Sequence, residues 1–119
     1  MLPVSNQNFQ ALAQYGIIDR TITDSVQTEL AWFSIGEAQF VTHPGESTPT
    51  HSKQSKQLMK ADGPKFVLGL GMDALGYILT PDFYVEEPTV KHSGYLQVMS
   101  IDPEAGNLMM KHIEEMAGE

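Results

Sequence analysis

The chain contains no cysteine. That excludes a disulfide framework, a thiolate nucleophile and a cysteine-ligated zinc site, and it fits oxidising and reducing compartments equally, so the compartment stays open. Basic residues are scarce. Seven Lys plus Arg stand against fifteen Asp plus Glu, giving a formal charge of −8 and a sequence pI near 4.8. With no basic stripe to offset that balance, neither nucleic acid nor an anionic membrane surface is an expected partner. Apolar runs are short, and none approaches the roughly eighteen residues of a membrane span. The opening MLPVSNQNFQALAQYG has neither a basic leader nor a long apolar core, so no signal peptide is predicted. The familiar catalytic signatures are missing too: no G-x-S-x-G elbow, no P-loop, no H-E-x-x-H pair. Gly69-Leu70-Gly71 lacks the third glycine of a dinucleotide fingerprint. Internal repeats, low-complexity tracts and composition shifts are absent, so residues 1–119 read as a single α/β domain. A chain of 119 residues buries about two thirds of its unfolded surface and can own one core.

What is present centres on Lys65 to Tyr84, KFVLGLGMDALGYILTPDFY. Phe66, Val67, Leu68 and Leu70 form an apolar run of the length and type that predicts a buried strand. Past its end come Gly69 and Gly71, then Asp73, then Gly76 before Tyr77. Two readings stay open: the glycines permit packing and Asp73 caps a turn, or this strand end carries chemistry, as strand ends of α/β proteins do.

Taken in order, the chain opens with a short predicted helix capped by Ser5, with Phe9, Leu12 and Ala13 on one face and Gly16 at its end. Leu30 to Ile35 and Ala38 to His43 read as two strands about a Gly36-Glu37 turn. Period-two spacing groups Leu30, Trp32 and Phe40 on one face and Phe33, Ile35 and Val41 on the other, which implies a sheet at least partly covered on both faces. After a Pro44-Gly45 turn, Thr48 and Pro49 open a weakly amphipathic helix whose Lys53, Lys56 and Lys60 form a solvated face. It ends before Asp62-Gly63-Pro64. Strand, helix and strand predict a right-handed parallel crossover. Val85 to Ser100 gives no firm assignment, because Val90, Leu96, Val98 and Ile101 are irregularly spaced. Asp102-Pro103 then opens a last helix with Leu108, Met109, Ile113 and Met116 as its apolar stripe. The expected fold is a small mixed sheet with a strand-helix-strand crossover and a covering C-terminal helix, in which Lys65 to Leu70 is the central strand.

Candidate chemistry is limited. His43, Glu46 and His51 are a ligand set a borderline metal accepts, although a turn and a helix start separate them; hydrogen-bonding loop histidines are the other reading. His92 and His112 read as surface residues. An oxygen-rich grouping of Glu46, Asp73 and Tyr77 is favoured by topology, since two strand ends joined by one crossover lie side by side.

The phrases FVTHPGESTP (Phe40 to Pro49) and FVLGLGMDALGYILTPDFY (Phe66 to Tyr84), in that order and spacing, resemble the C-terminal part of the catalytic domain of neutral/alkaline ceramidases and related bacterial proteins. The resemblance covers Leu30 to Tyr84 and, loosely, the last helix. It implies a zinc amidase whose metal is held by two histidines, a glutamate and a tyrosine, with a serine acting in amide cleavage. Glu46 of P-G-E matches the glutamate ligand and Tyr77 of G-Y-I the tyrosine ligand, and nothing else carries over; an enzyme reading of the chain adds Asp73 in support behind them. The histidine ligands and the serine have no counterpart in these residues. Met72 stands where many relatives have asparagine, and Val85-Glu86 where Tyr-Glu often follows.

Two function classes follow. In the first, the chain is a fragment or relic of a ceramidase-like zinc-dependent amidase, with zinc weak or absent in the isolated chain and no activity alone. In the second, it is a non-enzymatic α/β interaction module. The expected partner is the missing upstream segment or a second copy in a homo-oligomer, paired through an exposed sheet edge or through Met99, Met109, Met110 and Met116.

Overall fold

The computed structural model describes residues 1–60, 62–84 and 93–119. Its main sheet begins with a hairpin of β3 (Trp32–Ile35) and β4 (Ala38–His43), the first two strands, β1 (Leu2–Pro3) and β2 (Ser25–Val26), forming an antiparallel pair of their own. Gly36 sits at φ 60 as the first residue of the two-residue loop. That left-handed position is what the primed turns of tight hairpins demand, and it favours glycine. From β4 the chain passes through the short β5 (Glu46–Ser47) into α2 (Pro49–Leu58) and returns as β6 (Lys65–Gly69), which pairs with β4 in parallel. The sheet order is β3-β4-β6. This is the mixed α/β fold with a strand-helix-strand crossover that the sequence pattern predicts.

Two expectations change. The central strand is β4; among the described residues β6 pairs only with β4 and is an edge. The run Phe66, Leu68 and Leu70 is half-exposed rather than buried, at 44%, 38% and 49% of full accessibility. The face assignment changes as well, because the two-residue loop pairs each even-numbered residue of β3 with an odd-numbered residue of β4. Trp32 lies opposite Val41 and Phe33 opposite Phe40. Side chains directly opposite share a face, so Phe40 joins Phe33 and Ile35, while Val41 joins Trp32. One face is therefore covered and the other is not.

The covered face packs on two helices. Val41 is fully buried, with Trp32 and Val67 against the core that also holds Met59, Met109, Met110 and Ile113. α2 starts as predicted, with Thr48 as N-cap and Pro49 at the first helical position, and Lys53, Lys56 and Lys60 lie exposed. The C-terminal helix, α4 (Ala105–Ala117), begins after Asp102 accepts a hydrogen bond from the Glu104 backbone N–H at 2.7 Å. It buries Met109, Met110 and Ile113. These methionines fill the core, which removes Met109 and Met110 as interface candidates; Met99 is 40% exposed.

The N-terminal segment closes one end. α1 (Gln7–Gln14) is capped by Asn6, one residue later than Ser5, and the Asn6 side chain also donates to the Val98 and Ser100 carbonyls. Between β6 and α4 lie β7 (Tyr77–Ile78), a 3-10 turn over Pro81–Tyr84 and the short α3 (Ser93–Val98). Principal extents of 45 × 34 × 19 Å make the whole a flat body. No described helix is long and apolar enough to cross a membrane.

Candidate functional site

The site is built where the ends of β4 and β6 meet. The loop from Leu70 to Gly76 clasps Pro44-Gly45-Glu46 through four backbone hydrogen bonds: Gly71 N–H to His43 O at 3.1 Å, Leu70 N–H to Gly45 O at 3.1 Å, Leu75 N–H to Pro44 O at 2.8 Å, and Glu46 N–H to Gly76 O at 2.8 Å. Leu70 and Met72 adopt left-handed φ values of 57 and 68 to make these turns. Non-glycine residues in that region are uncommon and concentrate where surrounding structure holds them for a purpose.

The clasp sets β5 beside β7. They pair in parallel, with Glu46 and Tyr77 as Cα partners and Ser47 opposite Ile78. The two residues that the sequence nominates as oxygen ligands thus stand next to each other, Glu46 exposed and Tyr77 half-buried. Close approach of the two backbones depends on Gly45 and Gly76. A Cβ at Gly45 would lie 2.4 Å from Gly76 O, and Gly76 at φ 78 leaves only 2.2 Å between such a Cβ and Met99 O. Tyr77 N–H donates to that Met99 carbonyl at 2.9 Å, and the Tyr95 ring of α3 meets the Tyr77 ring edge-on at 6.1 Å between centroids. Desolvation and then the neighbouring Glu46 charge raise the Tyr77 pKa above its ordinary 10.0. Both effects disfavour the phenolate.

Asp73 faces a different partner. Its carboxylate receives a two-pronged contact from Arg20 at 2.6 and 2.7 Å, a hydrogen bond from the Thr28 hydroxyl, and one from the Ala74 N–H at 2.8 Å. Burial works against the charged carboxylate, but these hydrogen bonds and the Arg20 charge outweigh it and hold its pKa below the ordinary value. Arg20 also donates to the Gln27 carbonyl. Asp73 therefore ties the clasp loop to the segment after α1. Its link to Glu46 and Tyr77 runs through the backbone of that loop.

The histidines near Glu46 are structural. His43 is fully buried, with Nδ1 2.6 Å from the Ser47 hydroxyl and Nε2 2.8 Å from the Ser55 hydroxyl. Ser55 donates its proton to Met110 Sδ at 3.7 Å. It must then accept from His43 Nε2–H, which leaves Nδ1 to accept from Ser47, so the ring is neutral with both nitrogens engaged. Burial pushes its pKa down to about 4, with the His51 charge adding to the shift. His51 is buried between Thr48, whose hydroxyl lies 3.3 Å from Nδ1, and the bare backbone of Gly106 in α4. Both histidines make the hydrogen-bond contacts that one of the two readings expects. No group of three His, Asp or Glu side chains among the described residues is placed to hold a metal ion. His112 is partly exposed, with Nδ1 3.3 Å from Glu115; His92 lies outside the described residues, as do Val85, Glu86 and Val90.

Sequence reasoning missed Arg20, Tyr95, Ser47 and Ser55. Arg20 had a signal, being the single arginine in the chain. Tyr95 had none, since it reaches Tyr77 from a helix the pattern left unassigned. No family model, curated protein or solved structure matches this chain.

Proposed function

We propose that Glu46 and Tyr77 are the oxygen half of a zinc-dependent amidase centre of the neutral ceramidase kind, whose imidazole ligands and serine come from a segment outside these residues. The single observation supporting this reading is the pairing of Glu46 with Tyr77 as direct partners across β5 and β7. They come from two separate motifs, P-G-E and L-G-Y-I, and the clasp loop brings them together. A carboxylate and a phenol fit a zinc ligand set completed by neutral imidazoles, and two oxygen donors alone fall short of the three protein ligands a catalytic zinc normally has. When bound, zinc polarises an amide carbonyl and activates water. The chain's own contribution is positional. Glu46 presents a charge at the strand end, the raised pKa keeps the proton on Tyr77 in the absence of a metal, and Asp73 with Arg20 fixes the loop that leads to Tyr77.

Zinc titration of the purified chain tests the reading, with Glu46→Gln and Tyr77→Phe alongside. Weak zinc binding that either substitution abolishes is expected, with no cleavage of N-acyl amides by the chain alone. Tight stoichiometric zinc lost on Glu46→Gln would make the chain a self-sufficient centre. Zinc indifferent to both substitutions would remove Glu46 and Tyr77 from the role and transfer it to the histidines.

A further inference from the structure

The uncovered part of the main sheet carries Phe33 and Ile35 from β3, Ala38 and Phe40 from β4, and Phe66 and Leu68 from β6, as the register assigns them; Thr42, on the same side of β4, is buried at 3% beside Gly71. Phe33, Phe40 and Phe66 stack into a ladder across all three strands, at 5.0 and 4.9 Å between centroids and 4° and 16° between planes. Phe33 is 39% exposed, Ile35 66%, Phe66 44% and Leu68 38%. No outward position on these strands is charged. An apolar surface of this extent matches the largest patch a typical monomer carries, and such patches are often functional.

We infer that this face is the interface of a homodimer, in which two copies stack sheet on sheet as a sandwich. Three features of this face select a second copy. First, size: at ~150–250 Å² per large side chain when free, the exposed fractions of Phe33, Ile35, Phe66 and Leu68 amount to roughly 280–470 Å² of apolar surface per copy. Doubled, and taken as the ~65% apolar share of a homodimer interface, this corresponds to about 850–1,450 Å² in total, which runs from the size of a weak dimer contact into the range of specific stable complexes. Second, charge: the chain carries −8, and an uncharged face lets two such copies meet without setting like charges against each other. Third, shape: Phe40 stands on the central strand at the middle of the ladder, so a two-fold axis in the plane between the sheets sets Phe40 on Phe40 and makes the patch its own complement. Face-to-face sheets pack about 10 Å apart with strands offset by about 30°, which interdigitating Phe, Ile and Leu side chains can fill. The inference is independent of Glu46 and Tyr77, which lie on β5 and β7 outside this sheet.

Sedimentation equilibrium of the chain across a concentration series tests it, with Ile35→Lys and Leu68→Lys as variants and far-UV circular dichroism as the check on folding. A dimer is expected at high micromolar concentration, converted to monomer by either lysine with the spectrum unchanged. Methyl relaxation from a soluble paramagnetic agent, read on the unsubstituted chain, requires no variant: Ile35 and Leu68 should be shielded when concentrated and exposed on dilution. A monomer at all concentrations, a dimer indifferent to both lysines, assemblies beyond the dimer, or Ile35 and Leu68 methyls exposed in the concentrated state would each overturn the inference. So would a monomer that instead binds neutral phosphatidylcholine vesicles through these residues.

Discussion

Glu46 and Tyr77 face each other as Cα partners in the parallel pair of β5 and β7, each delivered by a strand end that the clasp loop holds against the other. Proximity has an electrostatic consequence that can be read without any metal. The Tyr77 phenol is held above its ordinary 10.0 by desolvation first and by the Glu46 charge second. Spectrophotometric titration of the chain, with Tyr77→Phe subtracted to isolate this phenol, should show it ionising late. Glu46→Gln should bring it back toward the ordinary value, and an unchanged titration would mean the two side chains do not interact.

The clasp itself depends on Gly45 and Gly76, where backbone approaches backbone, and Gly36 in the hairpin is the control. Gly36 and Gly76 both have left-handed φ, but a Cβ at Gly36 meets open space whereas one at Gly76 meets Met99 O at 2.2 Å. Gly36→Ala therefore isolates the conformational penalty, about 1 kcal/mol. Gly76→Ala adds a clash with backbone that cannot swing aside, so it should cost clearly more, roughly 3 kcal/mol or beyond. Urea denaturation of the two variants checks the order. Equal losses would show that the β5–β7 approach is looser than described.

Arg20 and Asp73 should behave as a unit. Their side chains are 30% and 13% exposed, so the pair is neither fully solvated nor fully buried, and its value lies between those limits. Asp73→Asn leaves the guanidinium with a weaker acceptor and should cost about 2 kcal/mol, the scale of a hydrogen bond to a charged group. Arg20→Lys retains the charge but not the two-pronged geometry and should lose about half of that. A double-mutant cycle by chemical denaturation measures the coupling; additive losses would mean that the contact contributes nothing.

Amide exchange should identify β4 as the protected centre of the sheet. It has neighbours on both sides, and the Thr42 N–H donates to Ala31 O at 2.9 Å beneath the fully buried Val41 layer. Val41 and Thr42 amides are expected among the slowest, ahead of Val67 and Leu68 on the edge strand. The reverse order, measured by nuclear magnetic resonance, would restore β6 as the central strand.

That reversal shows where the sequence was legible and where it was not. Element types came through because Gly36-Glu37, Thr48-Pro49 and Asp62-Gly63-Pro64 are local signals, each with its own steric cause. The juxtaposition of Glu46 and Tyr77 came through because a parallel crossover forces neighbouring strand ends together. Strand order did not, since an apolar run such as Phe66 to Leu70 reads the same whether a layer covers it or a partner awaits it. The faces of the hairpin were misassigned for a countable reason. Even positions were grouped across the turn as though the chain ran straight, whereas a two-residue loop opposes even to odd, as Trp32 to Val41 shows. The Arg20–Asp73 contact is long-range and has no periodic signature at all.

Acid should destabilise the fold through His43 before it reaches the carboxylates. His43 has an ordinary pKa of 6.5 and is lowered to about 4 in the folded chain, chiefly because burial opposes the imidazolium. Between those values the unfolded chain binds a proton that the folded chain refuses, so stability is fully present above about pH 6.5 and is lost as pH falls toward 4. The size is on the order of 3 kcal/mol. His51, lowered in the same direction by desolvation, adds to the slope. Asp73 does not act in this window, because its pKa is depressed below 3.8 and its contribution is lost only as pH falls past that ordinary value. The net charge opposes the trend, since protonation relieves self-repulsion in an acidic chain, and about 0.15 M salt, with a Debye length near 8 Å, suppresses most of that effect. Urea midpoints measured in such salt should therefore hold between pH 7.5 and about 6.5 and fall from there to pH 5. His43→Gln should be less stable at pH 7.5 yet retain only the slope that His51 supplies. A flat profile, or a His43 ring that titrates near 6.5 by nuclear magnetic resonance, would show that the ring is not buried between Ser47 and Ser55.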